Sequence, residues 1–468
     1  MHDLEALNTL FGDAVAIRDG SVTVARADAL ASPKMDELVR TAVFGEPVPR
    51  EYARWLLWEL GQAVGVQPAS IQALYMARGR GEVHGFTVPA MNIRCASYDT
   101  ARAVFRAAIA LRAGAFILEI ARSEIAYTGQ RPAEYVAVML AAALREGYRG
   151  PLFIQGDHFQ VNHKKYAVDP QPEVDAVKAL VREAVGAGFY NIDVDTSTLV
   201  DISKPTLPEQ QRLNCAVGID ILREVRAAQP AGVTISVGGE IGEVGTENST
   251  VEELRAFMDG FNAALPSGMT GLSKISVQSG TSHGGVVLAD GSIAPVQLDL
   301  DTLQRLSVVA RDDYKLSGAV QHGASTLPDA AFHNFPAREV AEVHLATNFQ
   351  TMLFDAIPDS LRQEIYAWLL ENAQDERKAT DTDEQFFYKT RKKALGPFKE
   401  RFWAFAAGDA ALAARYDAKF GFLFKQLAIG DTAATVARYV TPPVHHRPMP
   451  ADATPTHAAA PDDADLSD

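Results

Sequence analysis

Cysteine is almost absent: Cys95 and Cys215 are the only two in 468 residues, and neither stands in a CxxC pair. That excludes a disulfide framework and makes a reducing compartment the simpler setting. Long apolar runs are missing too, and the first residues, MHDLEALNTLFGD, carry no basic leader. A cytoplasmic protein without a membrane span is therefore expected. Basic charge is in deficit, with 44 Lys and Arg against 59 Asp and Glu, a net charge of -15. Non-specific nucleic-acid binding and docking on an anionic membrane both need a basic field, so no nucleic-acid and no membrane partner is expected. An anionic small ligand remains possible, because backbone amides or a metal can hold it locally. No GxGxxG follows the first strand of the main repeat, which weakens the case for an open, doubly wound nucleotide-binding sheet.

What is present is a rhythm. Residues 1–80 read as an N-terminal extension, with a hairpin signal around Asp19-Gly20 and helical spacing from Arg50 to Val64. From Phe86 onward, short apolar runs alternate with amphipathic stretches: FTVPAMNI, AFILEIA, PLFIQGDH, FYNIDVD, VTISVGGE, LSKISVQSG, KLSGAVQHG and EVHLAT. Continuous apolar strands alternating with helices predict a parallel sheet covered by helices. Eight such units over residues 81–357 have the size of a TIM (β/α)8 barrel, whose function collects at the C-terminal ends of its strands. Residues 358–441 read as helices with apolar stripes that pack on the barrel or on a partner subunit, so a homo-oligomer is expected. The basic cluster Lys389 to Lys393 reads as a solvated face, and residues 442–468, rich in Pro, Ala and Asp, as a disordered tail.

The polar residues that follow the apolar runs form a set: Asn92, Asp157-His158, Asp195, Glu240, His283, His322 and Thr347-Asn348. A lone histidine at a strand end is usually a hydrogen-bonded loop residue. Three histidines and a glutamate delivered by separate strands to one rim can instead converge on a single cation. Imidazole with carboxylate suits zinc best, and cobalt, iron or manganese less well. Glycines beside two of the histidines, in SGTSHGG and QHGAS, allow backbone amides to approach a phosphate closely.

Over residues 80–355 the chain resembles the class II, metal-dependent ketose-bisphosphate aldolases, the family of fructose- and tagatose-bisphosphate aldolases. The matching motifs are Asp157-His158, GEIGEVGTEN from Gly239, GTSHG from Gly280 and HGAS from His322. YTGQRPAEY after the second strand also resembles a group of non-catalytic tagatose-bisphosphate aldolase subunits. The resemblance implies Zn2+ on His158, His283 and His322, with Glu240 as an alternative ligand and Asp195 beside a second cation position. It implies Asp157 as the residue that exchanges a proton with the substrate hydroxyl, and a phosphorylated ketose or dihydroxyacetone phosphate held by Asn92, Gly284, Ser325 and Thr347. The chemistry implied is carbon-carbon cleavage through an enediolate of dihydroxyacetone phosphate.

The departures from that pattern are specific. The last strand ends in His344-Leu-Ala-Thr-Asn348, where the family usually reads NIDTD. The acid of the mobile loop aligns with Asn248, and Glu247 stands one position earlier as its replacement. HGAS carries alanine for a glycine, no lysine follows SHGG, and Lys164-Lys165 offers charge from a different loop. These changes imply a divergent member with a substrate of its own, or a sugar-phosphate-binding subunit that stabilises a catalytic partner.

Overall fold

The computed structural model describes residues 4–242, 247–280 and 298–450. The hairpin forms as the Asp-Gly pair predicts. Strands β1 (Val15–Arg18) and β2 (Ser21–Val24) pair antiparallel, and both turn residues, Asp19 and Gly20, have positive φ (49° and 75°). Aspartate and glycine are among the residues that tolerate this tight turn.

All eight predicted barrel strands are present. A ninth strand from the N-terminal region, β3 (Val66–Ala69), precedes them in the chain. They are β4 (Val88–Asn92), β5 (Ile117–Ala121), β6 (Gly150–Gln160), β7 (Asn191–Asp195), β8 (Ser236–Glu240), β9 (Lys274–Val277), β10 (Ala319–Gln321) and β11 (Glu342–Leu345). Each pairs in parallel with the next, and β11 returns to β4 through Glu342↔Val88 to Leu345↔Met91, which closes the barrel. Every residue of β4, β5 and β7 is buried, which explains why these strands read as near-continuous runs rather than alternating ones. The covering helices are the amphipathic stretches; Pro170–Ala187, for example, ends on Gly188 at φ 116°, a conformation that glycine adopts without a Cβ penalty.

The expected boundary at residue 80 does not separate two units. Strand β3 pairs with the lower half of β6 (Val66↔Gly150 to Ala69↔Phe153), while β7 takes the upper half from Gln155 onward. The helix Gln72–Gly79 closes the bottom of the barrel. Its buried Arg78 donates to three carbonyls that lead into neighbouring strands: Phe86 O at 2.5 Å, Val340 O at 3.0 Å and Ser317 O at 3.1 Å. From the same helix the Tyr75 hydroxyl reaches up into the barrel and donates to Glu342. Residues 66–79 thus belong to the barrel and supply its floor.

The C-terminal helices lie against the barrel's own wall. Ala410–Gln426 packs on Ser97–Leu111, Phe424 meets Phe116 at 5.6 Å between ring centroids, and Thr432 Oγ1 accepts from the amides of Gly114 (3.0 Å) and Ala115 (3.1 Å). The solvated-face reading of the basic cluster holds for Lys389, which is exposed and pairs with Asp381 at 2.6 Å, and is corrected for Arg391, which is buried over the Phe354 and Tyr388 rings and donates to Thr351 Oγ1 at 2.7 Å. The expectation of disorder from residue 442 is corrected for residues 442–450, which run along the helix Pro47–Val64. Trp58 Nε1 donates to His445 O (2.6 Å), Trp55 Nε1 to Arg447 O (2.9 Å), and the Arg447 guanidinium lies 3.3 Å from the Trp58 ring centroid. Indole donors that need acceptors and an arginine that stacks hold what composition alone marks as tail. No helix among the described residues is long and apolar enough to cross a membrane.

Arg78→Leu would remove the guanidinium donor from three buried carbonyls, of which Val340 O keeps the Thr87 hydroxyl, a loss of about 3 kcal/mol if only part of each bond is forfeited. Its denaturation midpoint should fall with an unchanged slope; an unaltered midpoint would show that the barrel floor does not depend on this residue.

Candidate metal centre and the polar barrel interior

Strand β6 carries the residues that organise the rim. Its pairing with β7 advances three residues against two between Gly156 and Phe159, so the strand holds a bulge at Asp157-His158. His158 sits inside it at φ 38°, a left-handed conformation unfavourable for a residue with a Cβ. A bulge re-aims side chains and sharpens the local twist. Here it places Asp157 and His158 on one side of the barrel mouth, where alternation would send them to opposite faces. Fully buried Phe159 anchors the far side, against Gly156, where a Cβ would collide with its ring.

His158 Nδ1 lies 2.9 Å from Asp195 Oδ2 and 3.4 Å from Glu240 Oε2. Its ring centroid is 4.4 Å from that of His322, whose Nε2 is 3.0 Å from Ser276 Oγ. His158, Asp195 and Glu240 offer ligand atoms within 4.8 Å of one another, as do Asp157, His158 and His322. Four residues expected at the metal are therefore brought together, with Asp157 beside them. His283 and Gly284 lie outside the described residues. Glu247 is exposed, and its neighbour Asn248 donates to Asp299 Oδ2 at 3.1 Å; neither joins the cluster. Asn92 does, through Nδ2 to Glu124 Oε2 (2.5 Å) and Asp157 Oδ2 (3.4 Å), with Arg94 bonded to both Asn92 and Glu124. Ser325 Oγ accepts from the backbone N–H groups of Ala346 (2.6 Å) and Thr347 (3.2 Å), so the loops after β10 and β11 meet where phosphate contacts are expected. Asn348 Oδ1 is buried without a hydrogen-bond partner. His163 is exposed in the first turn of the short helix His163–Val168, away from any role at the rim.

Beneath the rim lies a layer that strand-end reasoning misses: Glu119, Gln155, Asp193, Lys274, Glu342 and His344, all buried. Lys274 Nζ contacts Gln155 Oε1 (2.7 Å), both oxygens of Asp193 (2.9 and 3.0 Å) and Glu342 Oε1. Gly238 makes room for it, since a Cβ there would meet Asp193 and come within 2.8 Å of Lys274 Cε. His344 stands where the family pattern has asparagine. Its Nε2 is 2.8 Å from Glu342 Oε1, and its Nδ1 is 3.1 Å from Glu119 Oε1 and 3.3 Å from Asp157 Oδ1. Its ring centroid is 4.0 Å from His322, so three imidazoles line one wall of the cavity. The signal in the sequence was a charged residue inside an apolar run, as in AFILEIA and LSKISVQSG.

Electrostatics follow from crowding acids in a dry space. Burial opposes the ionisation of Asp157, yet the imidazoles of His158, His344 and His322 outweigh it and hold the carboxyl well below its usual range. Burial likewise disfavours a charged His158, and Asp157, Asp195 and Glu240 more than offset that. Glu240 has less compensation: burial and the Asp195 carboxylate push it up to about 8. Burial and Asp157 raise Glu119 to about 7.

Three comparisons place these observations. The family model described as fructose-bisphosphate aldolase class-II matches residues 79–402. No curated protein sequence matches the chain. Among solved structures, the native fructuronate-tagaturonate epimerase of Cohnella laeviribosi is 12% identical, with 74% of this chain and 82% of that one covered at a TM-score of 0.52. A protein described as a probable tagatose 6 phosphate kinase, from Sinorhizobium meliloti 1021, is 18% identical over 75% of this chain and 99% of that one, at 0.51. A fructose-bisphosphate aldolase from Campylobacter jejuni is 16% identical over 79% of this chain and 97% of that one, at 0.47. The likenesses above 0.5 show a shared fold.

Because Glu240 is raised from 4.5 to about 8, its neutral form stabilises the metal-free protein fully below pH 4.5 and less as pH rises through about 8. The thermal midpoint of metal-free protein should fall between about pH 6 and 8, and Glu240→Gln should flatten that fall. An identical slope in the variant would remove Glu240 as its source.

Proposed function

The chain belongs to the class II fructose-bisphosphate aldolase family, and from that premise we propose that it is a zinc-dependent carbon-carbon lyase acting on a phosphorylated ketose. The observation that carries the proposal is the convergence of His158, His322, Asp195 and Glu240 at the barrel mouth beside an ionised Asp157. The donor set suits a borderline dication, and the surplus of buried carboxylate favours one. His158, His283 and His322 would hold Zn2+, Glu240 would serve as a further ligand, and Asp195 would orient His158. Bound there, the ion supplies Lewis acidity where negative charge develops as the ketose is cleaved to dihydroxyacetone phosphate and an aldehyde.

The protein's own groups supply the rest. Asp157, ionised and backed by Asn92, takes the proton from the hydroxyl at the carbon whose bond breaks. Asn92 is itself fixed by Glu124 and Arg94, which holds its amide against Asp157. The phosphate would meet the amides around Gly284 and the meeting point of Ser325, Thr347 and Asn348. Glu247 would move the proton at the nucleophilic carbon, which requires its loop to bring it in from solvent. The exposed position of Glu247 favours a second reading, a barrel that binds sugar phosphate without cleaving it and stabilises a catalytic partner.

Zinc content and retro-aldol cleavage measured across ketose mono- and bisphosphates separate these readings. His158→Ala should lower zinc by one ion per chain and abolish cleavage. Asp157→Asn should keep the rim zinc and lower kcat by about 10²- to 10⁴-fold. Protein that holds no zinc would overturn the lyase reading. Bound zinc with no cleavage of any sugar phosphate would favour the binding subunit.

A further inference from the structure

We propose that the barrel interior holds a second divalent cation, bound by Glu119 Oε1, Asp157 Oδ1 and His344 Nδ1, below the rim centre. These three atoms are buried, and each lacks a hydrogen-bond partner. His344 Nδ1 faces both acids, 3.1 Å from Glu119 Oε1 and 3.3 Å from Asp157 Oδ1. Ligand atoms bound at about 2.1 Å in tetrahedral or octahedral geometry stand about 3.0–3.4 Å apart, so both spacings match the edges of a coordination shell.

The surroundings orient the donors toward one point. His344 Nε2 is 2.8 Å from Glu342 Oε1, a carboxylate that accepts a proton-bearing nitrogen and so turns Nδ1 toward Glu119 and Asp157. Burial disfavours a charged His344, yet Glu119, Asp157 and Glu342 outweigh it, so in the metal-free protein a proton on Nδ1 occupies the place that a dication would take. Glu119 is held through its other oxygen by Gln155 Nε2 at 2.9 Å, which leaves Oε1 free to ligate. Asp157 keeps Oδ2 on the Asn92 side, so a metal on Oδ1 does not remove its capacity for proton transfer.

Among the described residues no fixed cation stands at this corner, because Lys274 is engaged on the Asp193 and Glu342 side, away from Glu119. Two oxygens and one imidazole nitrogen suit a first-row ion such as Mn2+ or Zn2+.

Metal-free full-length protein titrated with MnCl2 and followed by electron paramagnetic resonance tests the site. Wild type should bind two Mn2+ per chain. Glu119→Gln, which preserves size, should bind one, and His344→Asn should bind one and lose a nitrogen coupling from the spectrum. His322→Ala should retain the interior ion and lose the rim one. A wild-type chain that binds one ion, lost in His322→Ala and kept in Glu119→Gln, overturns the interior site and leaves the rim centre standing. One ion lost in Glu119→Gln and kept in His322→Ala supports the interior site and overturns the rim centre. If His344→Asn fails to fold, Glu119→Gln decides alone.

Discussion

The ammonium of Lys274 at the centre of the barrel is the contact on which the interior depends. It is nearly inaccessible and is held by Gln155, Asp193 and Glu342 from three other strands. A buried charge is tolerated only when paired and hydrogen-bonded. Strands β6, β7, β9 and β11 must therefore close to one register for this cluster to be satisfied. Gly238 on β8 yields the space, and Tyr75 from the floor completes the bonds of Glu342. An apolar core of the same volume would fill the barrel equally well but would not fix the position of acids directly beneath the mouth. Above that layer His158, Asp195 and Glu240 meet at the mouth.

The second constraint is the bulge in β6. Regular alternation would send Asp157 and His158 to opposite faces, so the proton-transfer group and the ligand could not share one cavity. Holding His158 at positive φ costs conformational energy, which the surrounding strand pairs and the buried Phe159 ring sustain. Strain of this kind belongs with function more readily than with stability, since an unbulged strand would pair better with β7.

Much of the architecture is legible in the sequence because its signals are local. The eight apolar runs, the Asp19-Gly20 turn and the Gly188 helix end each follow from a few neighbouring residues, and the rim residues follow from their position after a run. The interior layer is not legible in this way. In strands buried on both faces, alternation no longer marks which side points into the barrel, so Glu119, Asp193 and Lys274 look like isolated interruptions. Glu342 and His344 are similar: HLATN reads as a departure from a pattern, whereas in three dimensions its histidine joins the imidazole wall. Arg78 and the strap at residues 445–447 are satisfied by carbonyls and rings far along the chain, and spacing cannot show such partners. The proposed roles of Glu247, Gly284 and His283 rest on resemblance, since their loops carry no local signal of where they sit.

Anomalous diffraction from crystals grown with zinc, recorded on both sides of its absorption edge, tests most directly whether the barrel with its acid-rich interior holds a metal centre at its mouth. An anomalous peak should lie within bonding distance of His158 and His322, with Glu240 or Asp195 adjacent. Crystals that contain zinc only at surface positions, with the His158 and His322 rings in direct contact and no peak between them, would contradict it.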